Sequence, residues 1–148
     1  RRGLIVSVSR LVHFGPLPAD LRRRHDAVTA VDATFIAATR PGASVAQIFA
    51  AGQAAYAAAG FPDEWRFHHQ GGATGYTGRD YRATPSSPHV VAPNQAFAWN
   101  PSIAGTKSED TILALAAGPE ILSASPDWPL VEHTVDGLTL GRPDLVVL

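Results

Sequence analysis

A proline–glycine pair at positions 41 and 42 separates two segments that both follow a helical period. The apolar stripe of residues 19–39 consists of Leu21, Val28, Val31, Phe35 and Ala38. The stripe of residues 44–60 consists of Val45, Ile48, Phe49, Gly52, Tyr56 and Ala59. Ser44 and Gln47 match a capping box, and Gly60 stands where a left-handed C-cap belongs. The sequence therefore predicts two consecutive helices, each with one buried face.

Segments with strand character surround these helices. They cover residues 4–14 before the helices, and 66–70, 95–99, 111–115, 129–135 and 145–148 after them. One strand, two long helices and then several strands predict an α+β fold, with the helices on one side of a curved, mostly antiparallel sheet. Residues 126–148 are predicted to form a C-terminal extension, either an extra hairpin or a partner-binding segment.

Composition excludes several classes of function. A chain of 148 residues is long enough for one substantial core, and its formal charge of −1 offers no basic surface for nucleic acid. The run Arg22–Arg24 is interpreted as a solvated helix face. No apolar run is long enough to span a bilayer, and the absence of cysteine excludes disulfides and thiolate-bound zinc. We expect a cytoplasmic protein.

Two adjacent histidines, His68 and His69, precede a glycine-rich run. In a regular strand they would face opposite sides, so we expect one to face the core or the helices and the other a cleft. The glycines allow either close approach by a ligand or a tight turn. Glu109 and Asp110 stand at a strand start, where surface placement is equally compatible with the sequence. The residues alone therefore indicate an α+β domain with a candidate cleft.

The order of the motifs resembles the pita-bread peptidases, metallopeptidase family M24, which include methionine aminopeptidase, Xaa-Pro aminopeptidases, prolidase and creatinase. SRLVHFGPLPADLRRRHDAV resembles the family's strand-to-helix passage, and TRPGASVAQIFAAGQAAYAAAGF its helix break and second helix. HHQGGATG lies where the family has H-x-x-G-H-G-x-G, AFAWNPSI where it has an E-P-G motif, and TKSEDTILALAAGPEILS resembles its ending. The resemblance covers residues 3–125 and implies that residues 1–125 are the later part of a pita-bread domain.

The same resemblance implies that most ligands of the family's two metal ions are replaced. The second aspartate falls on Ser7, the histidine on Gly72 and the first glutamate on Asn100, while the last glutamate is kept as Glu109. The first aspartate would lie before Arg1. One ionised side chain does not gather two dications, so no metal and no other cofactor is predicted.

Two functions follow from the resemblance. In the first, the chain hydrolyses a C–N bond in a small amino-acid-like or peptide substrate without metal, as creatinase does. His68 would act as general base or proton shuttle, with Glu109 orienting it or binding a cationic substrate. The substrate-binding residues would be His69, Tyr76, Arg79, Arg82 and Asn100, with either arginine holding a carboxylate. In the second, the old cleft binds a peptide or protein without catalysis.

The chain has no methionine, so Arg1 is not the residue at which synthesis starts. We expect an incomplete pita-bread domain, because the family's domain has two pseudo-symmetric halves. The uncovered surface of an incomplete domain predicts association, and a homodimer is the expected form. A small molecule or peptide in the cleft is the expected ligand, without nucleic acid or membrane as partners.

Overall fold

The computed structural model describes residues 3–148. It contains two helices at the positions that the apolar stripes predict. Helix α1 runs over Ala19–Ala38 and helix α2 over Val45–Ala58. They pack closely at Gly52 of α2, where an added Cβ would lie 2.1 Å from Cζ of Phe35. A glycine at this position therefore lets the Phe35 ring reach the α2 backbone.

The two ends of α2 are stabilised in different ways. Ser44 makes no side-chain capping bond, so the predicted capping box is wrong. Instead, the first backbone N–H of the helix, that of Val45, donates to the His89 carbonyl at 3.0 Å. The predicted C-cap is confirmed: Gly60 has φ of +85°, and the Phe61 N–H donates to the Tyr56 carbonyl at 2.9 Å.

An antiparallel sheet of five strands carries the core against the helices. Its strands are β2 (Gly71–Ala73), β3 (Tyr81–Arg82), β4 (Gln95–Trp99), β7 (Asp110–Leu115) and β8 (Gly118–Ile121), in the order β3-β2-β4-β7-β8. Three two-stranded pairs are added to it: β5 (Ser102–Ile103) with β6 (Thr106–Lys107), β9 (Leu130–Val135) with β10 (Leu138–Pro143), and β1 (Val12–His13) with β11 (Val146–Val147). The Phe35 ring stacks on Trp99 at 4.6 Å and so joins α1 to β4. The predicted α+β fold, with two helices against a mostly antiparallel sheet, is confirmed.

Two predicted strands differ from the structure. Residues 4–14 form a regular strand only at β1. The Ser7 N–H donates to Thr111 Oγ1 at 2.8 Å, and Thr111 Oγ1 donates to the Ser7 carbonyl at 2.9 Å, where a regular strand would bond backbone to backbone. The predicted strand at 66–70 is wrong: a 3-10 helix covers Glu64–Arg66, and β2 begins at Gly71. The Gln70 amide donates to the carbonyls of Trp65 and His68 and holds this segment as a turn.

Residues after 125 form the hairpin that the sequence offered as one alternative. Its turn uses Asp136 and Gly137, both with positive φ, which suits a two-residue hairpin connection. Strands β9 and β10 pack on α1, and Arg142 of β10 is completely buried. Within residues 3–148, no helix has the length and apolar character needed to cross a membrane.

Candidate functional site

A polar cavity of about 400 Å³ opens at one end of the five-stranded sheet. It is lined by His69, Gly78, Arg79, Arg82, Asn100 and Glu109. Asn100 follows β4 and Glu109 precedes β7, and the pairing of Trp99 with Asp110 places them at the same sheet end. His69 reaches that end because Gly71 pairs with Trp99. The fold therefore brings together five of the seven predicted site residues.

The other two predicted residues lie elsewhere. His68 lines two neighbouring cavities but not the polar one, and Tyr76 is 72% exposed and lines none of these three cavities. The rings of His68 and His69 stack at 4.5 Å, an arrangement that the turn at 66–70 permits and a regular strand would not.

Glu109 is a buried carboxylate with both oxygens engaged. Oε2 accepts from Ser9 Oγ at 2.7 Å and from Lys107 Nζ at 2.8 Å, and Oε1 pairs with Arg79 at 3.4 Å. Burial alone would raise the pKa of Glu109, but the bonds from Lys107 and Ser9 and the two positive charges outweigh it, so its pKa is lowered. Glu109 is 7% exposed and Asp110 2%, so of the two alternatives left open by the sequence, surface placement is excluded.

The guanidinium of Arg79 joins Ser7 and Glu109, two positions that the resemblance aligns with metal-binding carboxylates of the family. It donates to Ser7 Oγ at 3.1 Å through Nη1 and to Glu109 Oε1 at 3.4 Å through Nη2. The Arg79 side chain is 11% exposed, so this positive charge lies largely out of solvent. A fixed protein cation therefore occupies the space between Ser7 and Glu109.

His69 is neutral at pH 7. Burial lowers its pKa to about 4, with further lowering by His68, Arg79, Arg82 and Lys107. Its Nδ1 atom is buried and has no hydrogen-bond partner among residues 3–148, and the same is true of Asn100 Oδ1. Unpartnered buried polar atoms in one cavity are expected to bind a ligand or water.

The resemblance aligns the family's metal ligands with Ser7, Gly72, Asn100 and Glu109, and of these Glu109 alone is ionisable. The described part of the chain contains no group of three or more histidine, cysteine, aspartate or glutamate side chains placed to hold a metal ion. At Gly72, which the resemblance aligns with the family's metal-binding histidine, φ is +151° and an added Cβ would lie 2.1 Å from the Tyr81 carbonyl oxygen. A ligand side chain therefore has no space at this position.

Sequence reasoning missed two residues that shape the cavity, Ser9 and Lys107. Lys107 is two residues before Glu109, and this spacing places side chains on the same face of an extended segment, so the pair could have been found. Ser9 pairs with Glu109 across a sequence separation of 100 residues, and no local pattern indicates it.

The family model of metallopeptidase family M24 matches residues 1–116. Among solved structures, a dipeptidase from Pyrococcus horikoshii OT3 is similar at a TM-score of 0.79 and 16% identity, over 99% of this chain and 38% of that one. A Xaa-Pro dipeptidase from Bacillus anthracis is similar at a TM-score of 0.75 and 18% identity, over 95% of this chain and 37% of that one.

The N-terminal domain of the FACT complex subunit SPT16 from Cicer arietinum is similar at a TM-score of 0.69 and 11% identity, over 83% of this chain and 33% of that one. No curated protein matches the sequence significantly. The chain spans less than two fifths of the length of each of these three structures. At these low identities, the structural similarities establish the fold alone, which is the predicted pita-bread fold. The family model, in contrast, matches the sequence over most of the chain. This chain belongs to metallopeptidase family M24.

Proposed function

We propose that this M24 domain has lost the dimetal site and hydrolyses a C–N bond, without metal, in a small amino-acid-like or peptide substrate that carries a carboxylate. The observation that carries the proposal is the position of the Arg79 guanidinium, between Ser7 and Glu109. A metal ion there would meet a fixed positive charge, and Lys107 adds a second one.

The cavity offers a site for a substrate carboxylate. Arg82 lines it, is exposed and forms no ion pair with the residues that the structure describes. A guanidinium binds a carboxylate through two parallel hydrogen bonds. A bound carboxylate would also offset the positive charges that lower the pKa of His69, and would raise that pKa toward its ordinary value.

The remaining groups suit the hydrolytic step. As a water oxygen attacks the acyl carbon, His69 would take one of its protons, and Arg79 would stabilise the negative charge that develops on the acyl oxygen. The C–N bond then breaks, the acyl carbon keeps the hydroxyl, and the proton passes from His69 to the leaving nitrogen. His68, stacked on His69, would position it. The sequence assigned the base to His68, but His69 is favoured because it shares the cavity with Glu109.

Binding without catalysis is the second candidate. It is favoured by the state of Glu109, the one carboxylate that lines the cavity in the described chain, whose two oxygens are both engaged. A cavity without a free carboxylate has no acidic group that could accept or donate a proton beside His69. The same cavity would then hold a peptide or protein carboxylate and release it unchanged.

The test combines metal binding with turnover. Protein dialysed against EDTA would be titrated calorimetrically with Zn²⁺, Mn²⁺ and Co²⁺, and then incubated with a panel of dipeptides and N-acetyl amino acids while products are followed by mass spectrometry. We expect no stoichiometric metal and turnover that EDTA does not reduce. His69→Ala should abolish turnover, whereas Tyr76→Phe, a change on the exposed surface, should leave it unchanged.

Each contrary result has a defined meaning. Two metals per chain together with metal-dependent turnover would show that the ligand positions were assigned wrongly. Binding of the panel compounds without products would favour the second candidate.

A further inference from the structure

An apolar cavity of about 330 Å³ adjoins the polar one. Its apolar lining consists of Phe49, Trp65, Phe67, Ala83 and Pro85. His69 and Arg82 line both cavities, so the two spaces meet at these side chains. A volume near the lower end of the range for ligand pockets suits one side chain rather than a whole drug-sized molecule.

The wall of the apolar cavity is built from fixed parts. Trp65 packs edge-to-face on Phe49 at 5.7 Å, and the guanidinium of Arg66 lies over the Trp65 ring at 4.6 Å. Gln70 is 1% exposed and fastens the turn behind this wall through its bonds to the Trp65 and His68 carbonyls. The Trp65 side of the cavity is therefore held by contacts within the protein itself.

Phe67 completes the lining from the solvent side. It is 79% exposed although it lines two cavities, the apolar one and the one beside His68. An aromatic ring left in water at the mouth of an apolar cavity gains free energy when a second apolar group covers it.

We propose that this apolar cavity is the specificity site of the cleft and takes an aromatic or bulky aliphatic side chain of the substrate. The inference rests on the proposed function, because Arg82, the proposed carboxylate-binding residue, lines both cavities. One substrate residue places its carboxylate on Arg82, its side chain among Trp65, Phe67 and Pro85, and its amide nitrogen toward His69. The substrate class is thus an N-acylated or peptide-linked residue with a large apolar side chain and a free carboxylate.

The test compares N-acetyl-L-phenylalanine with N-acetylglycine by calorimetry on the EDTA-treated protein. Both compounds carry the amide and the carboxylate, and they differ only in the benzyl side chain. We expect the phenylalanine compound to bind about 10-fold or more tightly, from burial of the ring. Phe67→Ala should remove most of that difference. The matched control is Phe14→Ala, which removes an equally exposed phenylalanine (77%) that lines none of the cavities described here, and it should change nothing.

The outcomes separate this inference from the proposed function. Equal affinity for both compounds overturns the aromatic site and leaves the carboxylate cleft standing. A preference for the ring that Phe67→Ala does not reduce overturns the assignment to this cavity. If neither compound binds and no panel compound is hydrolysed, the proposed function fails and this inference fails with it. N-acetyl-L-phenylalaninamide, which lacks the carboxylate, should bind more weakly than the acid, and equal binding would overturn the role of Arg82.

Discussion

Replacement of Arg142 by methionine should destabilise the domain strongly, because Arg142 is a cation inside the core. It is 0% exposed and contacts two buried carboxylates: Nε donates to Asp32 at 2.8 Å and Nη2 to Asp110 at 2.7 Å. Without it, Asp110 keeps Arg10 and Ser123 as partners. Asp32 is in a weaker position, since it keeps the Ser108 hydroxyl alone among the described residues.

The expected loss follows from removing one partner of a buried ion pair. Such changes cost about 3–5 kcal/mol, because an uncompensated charge stays in the core. For a domain of this size that loss lowers Tm by about 6–20 °C. Urea unfolding followed by tryptophan fluorescence is a suitable assay, since Trp99 is fully buried against Phe35.

The loss should also depend on pH. Burial raises the pKa of Asp32 above its ordinary value even though Arg142 and Ser108 oppose the shift, and removal of Arg142 raises it further. A folded-state pKa above the unfolded one means that stability is lost as pH rises. The wild type shares this loss until Asp32 ionises in its folded state, so the deficit of the variant should grow as pH rises above the raised folded-state pKa of wild-type Asp32. Adding Asp32→Asn should recover part of the loss. A deficit below about 1 kcal/mol, or one equal at pH 5 and pH 8, would refute the reasoning.

Two further predictions concern the helix contact and the cavity. Gly52→Ala should lower the free energy of unfolding by about 1–3 kcal/mol, measured in urea, because its Cβ would lie 2.1 Å from the Phe35 ring. Gly78→Ala is the control, since its Cβ meets nothing within 4 Å, and its stability should stay near that of the wild type. In an NMR titration, His69 should titrate at about pH 4, so that its neutral form stabilises the fold above pH 6.5 and this contribution is lost as pH falls toward 4. Bound N-acetylglycine should raise that midpoint, and an ordinary midpoint in the free protein would contradict the electrostatic argument.

Both helices were predictable from the sequence because their signals are local. Apolar residues at helical spacing and the Gly60 C-cap depend on neighbours within a few positions, and the structure confirms them. The failed predictions depend on distant partners. Ser44 lost its capping role because residues 89–91 pair with the start of α2, and residues 4–14 lost strand regularity because the Thr111 side chain bonds Ser7.

The sequence predicts which residues line the candidate site better than it predicts their contacts. Five of its residues follow from motif order, since antiparallel strands return to the same sheet end. The sequence assigned the base to His68 from the resemblance to the family. The structure places His69 in the polar cavity and His68 outside it, and the side-chain bonds of Gln70 hold the turn that separates them. The pairing of Glu109 with Ser9 joins residues 100 positions apart, and only the folded chain shows it.

The crowding at Gly72 limits how the domain can change over generations. A histidine at this position would need the neighbouring strand β3 to shift, because the Tyr81 carbonyl oxygen already occupies the space of a Cβ. That shift would move Arg82, on which carboxylate binding depends in our proposal. A dimetal site at the positions that the resemblance indicates would therefore need several simultaneous changes in this chain, and a histidine at position 72 would disturb the Arg82 side of the cavity. Gly72 therefore hinders the introduction of a metal-binding side chain at this position.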